Sequence, residues 1–395
     1  MRNLLNQARG RLRGRPEAAQ GEAARWWIDH GSPGQAVLAL RSWALAPEPP
    51  PAGQLLALLD SPVPALRRVA AWTLGQGQRV QDLDPIWARA RRERVDAVRL
   101  ALCVACVRLG VQVDDAWGLL DQAARRRMLS SRGSRAIAEA TGFGPDQMAR
   151  RWLRVLDPWA DGSTDPATVA PLPAALVRER LIRRLDADSE DRDGMLSLAY
   201  QQHPGDFERI AARVRMGGRR EAHTTCEALG ENGDPRAIDL LVPTLRAMDV
   251  DPGHGFAGRR AASVALGRLG LPEVGPILAS ALQVEAADYE GRPGAGMGIQ
   301  FPVRAVMISA LGEAGCVRQA GVIAGYLGDV SGSAFGGFYL PAMDALWKLD
   351  AWPELVAALQ AGPTEATHAA AVLQALGRQD LLPPRQGEPK GLSGS

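Results

Sequence analysis

Apolar residues recur along this chain at a spacing near 3.6, in runs of about ten positions broken by short polar or glycine-rich punctuation. Three runs end in one phrase: Ala228-Leu229-Gly230-Glu231-Asn232-Gly233, Ala265-Leu266-Gly267-Arg268-Leu269-Gly270 and Ala310-Leu311-Gly312-Glu313-Ala314-Gly315. Related endings are Thr73-Leu74-Gly75, Arg108-Leu109-Gly110 and Ala375-Leu376-Gly377. Gly230, Gly267 and Gly312 are 37 and 45 residues apart, and Gly75 to Gly110 is 35, periods that fit stacked helix pairs. Each phrase reads as a helix that stops at a glycine able to adopt the left-handed conformation. The restart follows at once: Asp234-Pro235 and Asp84-Pro85 set an N-cap acceptor before a first-turn proline, while Leu271-Pro272 and Trp352-Pro353 keep the proline alone. Second helices are expected over 238–245, 274–282, 317–327 and 355–359, each with a one-sided apolar stripe. The predicted fold is all-α, a right-handed α-solenoid of antiparallel helix pairs.

These phrases resemble the HEAT-like repeats of the phycobilisome-lyase type, in which a helix reading R-x-A-x-x-A-L-G precedes a short turn and a D-P-x-x-x-x-x-L helix. Arg67, Arg259 and Arg304 each fall eight residues before Gly75, Gly267 and Gly312, matching the arginine of that pattern. The resemblance is clearest over 60–120 and 219–380. Between 121 and 218 only Arg178–Leu185 and Phe207–Val214 are recognisably helical. It implies a repeat scaffold whose arginines and glycines are structural, and it leaves function open.

Composition agrees with helix-on-helix packing: 46% of residues are hydrophobic but only 5% aromatic. Four segments are expected: a basic, tryptophan-rich helical array over 1–160, a degenerate helical joint over 161–218, a regular array with long links over 219–382, and a disordered tail over 383–395. Of 46 basic residues only Lys348 and Lys390 are lysines. Residues 1–160 carry 24 arginines against 15 acids, or +9, which leaves 22 basic against 29 acidic, or −7, for the rest. Such bipolarity can steer partners.

Cys103, Cys106, Cys226 and Cys316 all sit in apolar helical runs, and no second pair or histidine completes a zinc site with Cys103 and Cys106. They read as core thiols in a reducing compartment. Met1–Pro16 lacks the apolar stretch of a signal peptide and no later run reaches the roughly 20 apolar residues that span a bilayer, so the expected location is cytoplasmic, with no transmembrane segment.

Three links from a second helix to the next first helix exceed the usual handful of residues: 249–258, 284–300 and 328–340. Equivalent links in a solenoid share one edge, so His254, Phe256, Tyr289, Glu290, Phe301, Phe335, Phe338 and Tyr339 are expected to form a recognition rim of loops there. Catalytic signatures are thin. His223 and Cys226 lack an orienting third group, His254 near Asp249 and Asp251 makes only a weak acid/base or metal cluster, and no catalytic residue, metal site or cofactor is expected. The expected partner is a protein, a small molecule remaining possible as in the chromophore lyases that the repeats resemble. Nucleic acid is disfavoured: Arg89, Arg91, Arg92, Arg94 and Arg99 cluster among tryptophans, yet a net charge of +2 falls short of a DNA binder.

Overall fold

A computed structural model describes residues 17–77, 80–111, 115–116, 118–119, 174–187, 192–200, 202–216, 222–247, 252–290, 297–328, 338–375 and 378–383. The basic segment 1–16, the start of the expected joint and the tail 384–395 lie outside them. Eighteen α-helices and no β-strand occur among the described residues. The N-terminal group comprises α1 (Glu17–His30), α2 (Pro33–Ala44), α3 (Ala52–Leu58), α4 (Pro64–Gln76), α5 (Leu83–Arg92) and α6 (Asp96–Arg108). The C-terminal group comprises α7 (Ala174–Ala187), α8 (Arg192–Tyr200), α9 (Phe207–Met216), α10 (Ala222–Asn232), α11 (Ile238–Arg246), α12 (Pro252–Leu269), α13 (Gly275–Glu290), α14 (Met297–Glu313), α15 (Ala320–Ala324), α16 (Tyr339–Lys348), α17 (Trp352–Ala358) and α18 (Pro363–Ala375).

The recurring phrase holds two glycines with different duties. Gly75, Gly230, Gly267 and Gly312 do not end their helices; they lie inside α4, α10, α12 and α14, facing Ala105, Ala265, Ala310 and Ala345 of the next helix in the row. A Cβ at any of the four would approach the neighbouring alanine Cα to between 2.6 and 2.9 Å, so glycine against alanine sets how closely two backbones meet. The helices stop three residues later, where Gly233, Gly270 and Gly315 take φ of 71°, 68° and 71°. Gly110, at φ 110°, belongs to this second set, with Val107 at the packing position. Asp350 and Gln202 occupy the same left-handed place after α16 and α8, at φ 57° and 53°.

Helices α8, α10, α12, α14 and α16 pack successively on one another, as do α2, α4 and α6. Each helix of the alternate set, α9, α11, α13 and α15, packs chiefly on the helix that follows it. The restarts are tighter than expected: Asp234 accepts the Arg236 N–H at 3.0 Å to cap a 3-10 turn that leads into α11, whereas Asp84 sits within the first turn of α5 and caps nothing. The helix expected over 317–327 is broken into 3-10, α and 3-10 pieces around the short α15. The region read as degenerate contains α7, α8 and α9, of which α8 extends the packed row.

The three repeat arginines are buried, Arg67, Arg259 and Arg304 being 7%, 8% and 7% exposed. Arg67 donates from Nε and Nη2 to both carboxylate oxygens of Glu93 at 2.9 Å and from Nη1 to the Ser61 carbonyl at 2.8 Å. Glu93 also pairs with Arg89 at 3.0 Å and accepts the Arg94 and Val95 N–H groups at 3.0 Å, so one carboxylate ties α4, α5 and α6 together.

Candidate functional site

Helices α10 and α16 begin eight residues before their packing positions, Ala222 before Gly230 and Tyr339 before Trp347. Helices α12 and α14 begin at Pro252 and Met297, seven residues ahead of that register at Arg259 and Arg304. Helix α13 has 16 residues where α11 has 9. Seven residues at 1.5 Å rise extend each helix by about 10 Å, or two turns. Three neighbouring helices therefore reach past the common length at the link edge.

This corrects the expectation of a rim of loops. His254 and Phe256 lie in α12, Tyr289 and Glu290 in the last turn of α13, and Phe301 in α14; the side chains of these five, and all of Phe335, fall outside the described residues. The physical reason is local. Glu285-Ala286-Ala287-Asp288-Tyr289-Glu290 contains good helix formers, Pro252 occupies a first turn where its missing N–H is no loss, and a helical glycine costs only about 1 kcal/mol. Phe338 is buried at 3% exposure rather than offered to solvent: its ring meets Tyr326 edge-on at 5.7 Å and lies under the Arg304 guanidinium at 5.6 Å. Tyr339 is half-buried against His368, ring centroids 4.3 Å apart, and burial raises its hydroxyl pKa. Both open α16, where they cover the neighbouring helices instead of extending the edge.

The opposite edge, where the helices of the C-terminal row end, is covered by the N-terminal group. The Ala65 N–H at the start of α4 donates to the Gly270 carbonyl at 3.1 Å, and the Asp96 N–H at the start of α6 donates to Glu313 at 3.2 Å. Three arginines point into helix C-termini. Arg41 donates to the Asn232 carbonyl at 2.8 Å, Arg68 to the carbonyls of Arg268 at 2.6 Å and Gly230 at 3.4 Å, and Arg94 to the Trp347 carbonyl at 2.9 Å and the Asp350 carboxylate at 2.7 Å. The last carbonyls of a helix lack intrahelical partners and carry the negative end of its dipole, so a guanidinium satisfies both. Burial lowers the Arg68 pKa to about 10 against the pull of Glu231, which leaves it charged at neutral pH.

Lys348 completes this interface. Its Nζ is fully buried and lies 2.5 Å from Asp344, 2.5 Å from Glu313 and 3.5 Å from Asp96. An ammonium offers three donors in a tripod, which suits three converging carboxylates better than a planar guanidinium does. One basic residue that is not arginine stands where arginine geometry fails.

The remaining candidates disperse. Cys103, Cys106, Cys226 and Cys316 are buried free thiols; burial raises all four, Cys106, Cys226 and Cys316 to about 12, which holds them unreactive. Glu227, next to Cys226, pairs with Arg268 at 3.3 Å. Of the arginine cluster, Arg89 and Arg99 turn inward to Glu93 and Asp96, Arg94 joins the interface, Arg91 stacks on Trp87 at 5.3 Å and Arg92 reaches Asp60 at 3.4 Å. No described helix is long and apolar enough to cross a membrane.

Residues 258–283, which run from the packing part of α12 into α13, match the family model described as PBS lyase HEAT-like repeat. A comparison with curated proteins found no match.

Proposed function

We propose that this chain, a HEAT-like repeat protein, forms a right-handed solenoid of antiparallel helix pairs that serves as a non-enzymatic scaffold or adaptor, holding a protein partner along its concave surface and extended link edge. The observation that carries this reading is the contrast between the edges. One is taken up by intramolecular docking through Arg41, Arg68, Arg94 and Lys348, whereas the other is lengthened by about two turns on three adjacent helices. Rigid helical extensions present a partner with pre-ordered backbone, which lowers the entropy lost on binding. The internal engagement of Arg89, Arg94 and Arg99 argues against a nucleic-acid groove at that cluster.

Excision of residues 286–299, with a short Gly-Ser closure, removes the tips of α13 and α14 and leaves the packing positions in place. In affinity capture followed by mass spectrometry, the shortened chain is expected to lose at least tenfold of its partner recovery at an unchanged melting temperature. Full recovery by the shortened chain would overturn the edge as the binding surface.

A further inference from the structure

Residues 202–206 form the short turn between α8 and α9, and His203 sits half-buried near its start. Three contacts meet at this one residue. Its Nδ1 accepts the Gly205 N–H at 3.1 Å and so caps the 3-10 turn Pro204–Asp206. Its carbonyl accepts the Asp206 N–H at 3.1 Å and the Asn232 Nδ2–H at 3.4 Å. Its ring stands edge-on to Trp72 of α4, with centroids 6.2 Å apart and planes at 81°. Asn232 is buried and is also the residue whose carbonyl and Oδ1 accept from Arg41 of α2, at 2.8 and 3.2 Å. The turn therefore joins α8 and α10 of the C-terminal group to α4 directly and to α2 through Asn232.

This geometry fixes the protonation state of the ring. A backbone N–H can only donate, so Nδ1 is an unprotonated acceptor and the imidazole is neutral, with its proton on Nε2. A proton added at Nδ1 would face the Gly205 N–H, donor against donor, and the cap would be lost. The charges acting on the ring are Arg178 of α7, Asp206 of its own turn and Arg41 of α2, while α4 presents the Trp72 ring. Both Asp206 oxygens already accept from the Arg178 Nε, at 3.1 and 2.9 Å, and Asp234 and Arg236 act on Arg41. Burial, then Arg178 and Arg41, hold the His203 pKa below its ordinary value of 6.5, with Asp206 pulling the other way.

We propose that the His203 turn is an acid-sensitive latch between the two helix groups: the neutral imidazole caps the turn and props Trp72, and protonation breaks the cap and loosens the turn from Trp72 and Asn232. Histidine is the side chain whose ordinary titration falls in the mildly acidic range. The fold prefers the neutral ring, so its contribution is complete above the unfolded value of about 6.5 and is lost as pH falls through the lower folded value. The loosening is local. Arg68 fastens the groups through the carbonyls of Gly230 and Arg268, which do not titrate, and so holds them together while the His203 end opens.

Nuclear magnetic resonance on the full chain, labelled in histidine and tryptophan, tests the latch between about pH 7.5 and pH 5. His203→Asn and Trp72→Phe identify the two resonances. The His203 ring is expected to titrate with a midpoint below its ordinary value, and the Trp72 indole signal to move with the same midpoint. Over that interval the Gly205 and Asp206 amides, corrected for the intrinsic pH dependence of exchange, should lose about threefold or more of their protection relative to the amides of α14. His203→Asn keeps an acceptor for the Gly205 N–H but removes the titration, so its protection is expected to stay level. A Trp72 signal that stays still while His203 titrates, a His203 midpoint at or above 6.5, constant protection in the parent chain, or the same loss in His203→Asn overturns the proposal. The first three outcomes are read from the parent chain and decide the matter even where the asparagine variant does not fold.

Discussion

Gly267 and Gly321 are both helical glycines, and their surroundings reverse the expected sign of the same substitution. A Cβ on Gly267 would meet the Ala310 Cα at 2.8 Å, a backbone atom that cannot swing aside, whereas nothing lies within 4 Å of Gly321. Alanine gains about 1 kcal/mol of helix propensity at either place, but overpacking at the helix contact costs about 1 to 3 kcal/mol. Gly267→Ala is therefore expected to lower the urea midpoint and Gly321→Ala to raise it. Shifts in the same direction would contradict the close-packing role. The glycine phrase is plain in the sequence, since a repeat announces itself by recurrence. Which glycine touches a neighbour and which turns the chain is not, because both roles ask only for a missing side chain. Phe338 shows the same limit: an aromatic residue beside glycines reads as an exposed contact until the helix that covers it is known.

Glu93 acts at the scale of elements. Burial raises its pKa, but the charge and hydrogen bonds of Arg67 and the charge of Arg89 outweigh that and hold it below its ordinary value of 4.5. A carboxylate lowered in the fold stabilises it fully above the unfolded value and loses that contribution as pH falls through the folded one. Glu93→Gln should cost about 3 to 5 kcal/mol at pH 7, where it strands Arg67 and Arg89, and the gap to the parent chain should narrow below about pH 4. Denaturant titrations at pH 7 and pH 3.5 that show an equal gap at both would refute this hub. Helix boundaries follow the same lesson. Periodicity located α4, α6, α10, α12 and α14, but link length proved a poor guide to link structure. Residues 252–258, 284–290 and 297–300 are added turns of helix, because a run of ordinary helix formers needs only an adjacent packed helix to continue.

At the scale of the whole molecule, the end-on docking of the two helix groups was the least legible feature. Its contacts join residues as distant as Arg94 and Asp350, 256 positions apart, and local pattern carries no information at that range. The one trace was the charge asymmetry, +9 over 1–160 against −7 beyond, which three of those arginines direct inward at helix ends of the same chain. The arginine-rich stretch that suggests a charged exterior partner is in part a fastening.

Lys348 makes that fastening observable. Only one other lysine exists in the sequence, Lys390, so a water-soluble amine-acylating reagent has two side-chain targets, and the folded interface shields the Lys348 Nζ completely. Brief exposure followed by peptide mass mapping is expected to modify Lys348 only as fast as the two helix groups part. Arg94→Ala should accelerate that reaction, and acylation of Lys348 in the parent chain as fast as in the urea-unfolded chain would disprove the buried geometry. A single amine thus serves as a built-in timer of opening.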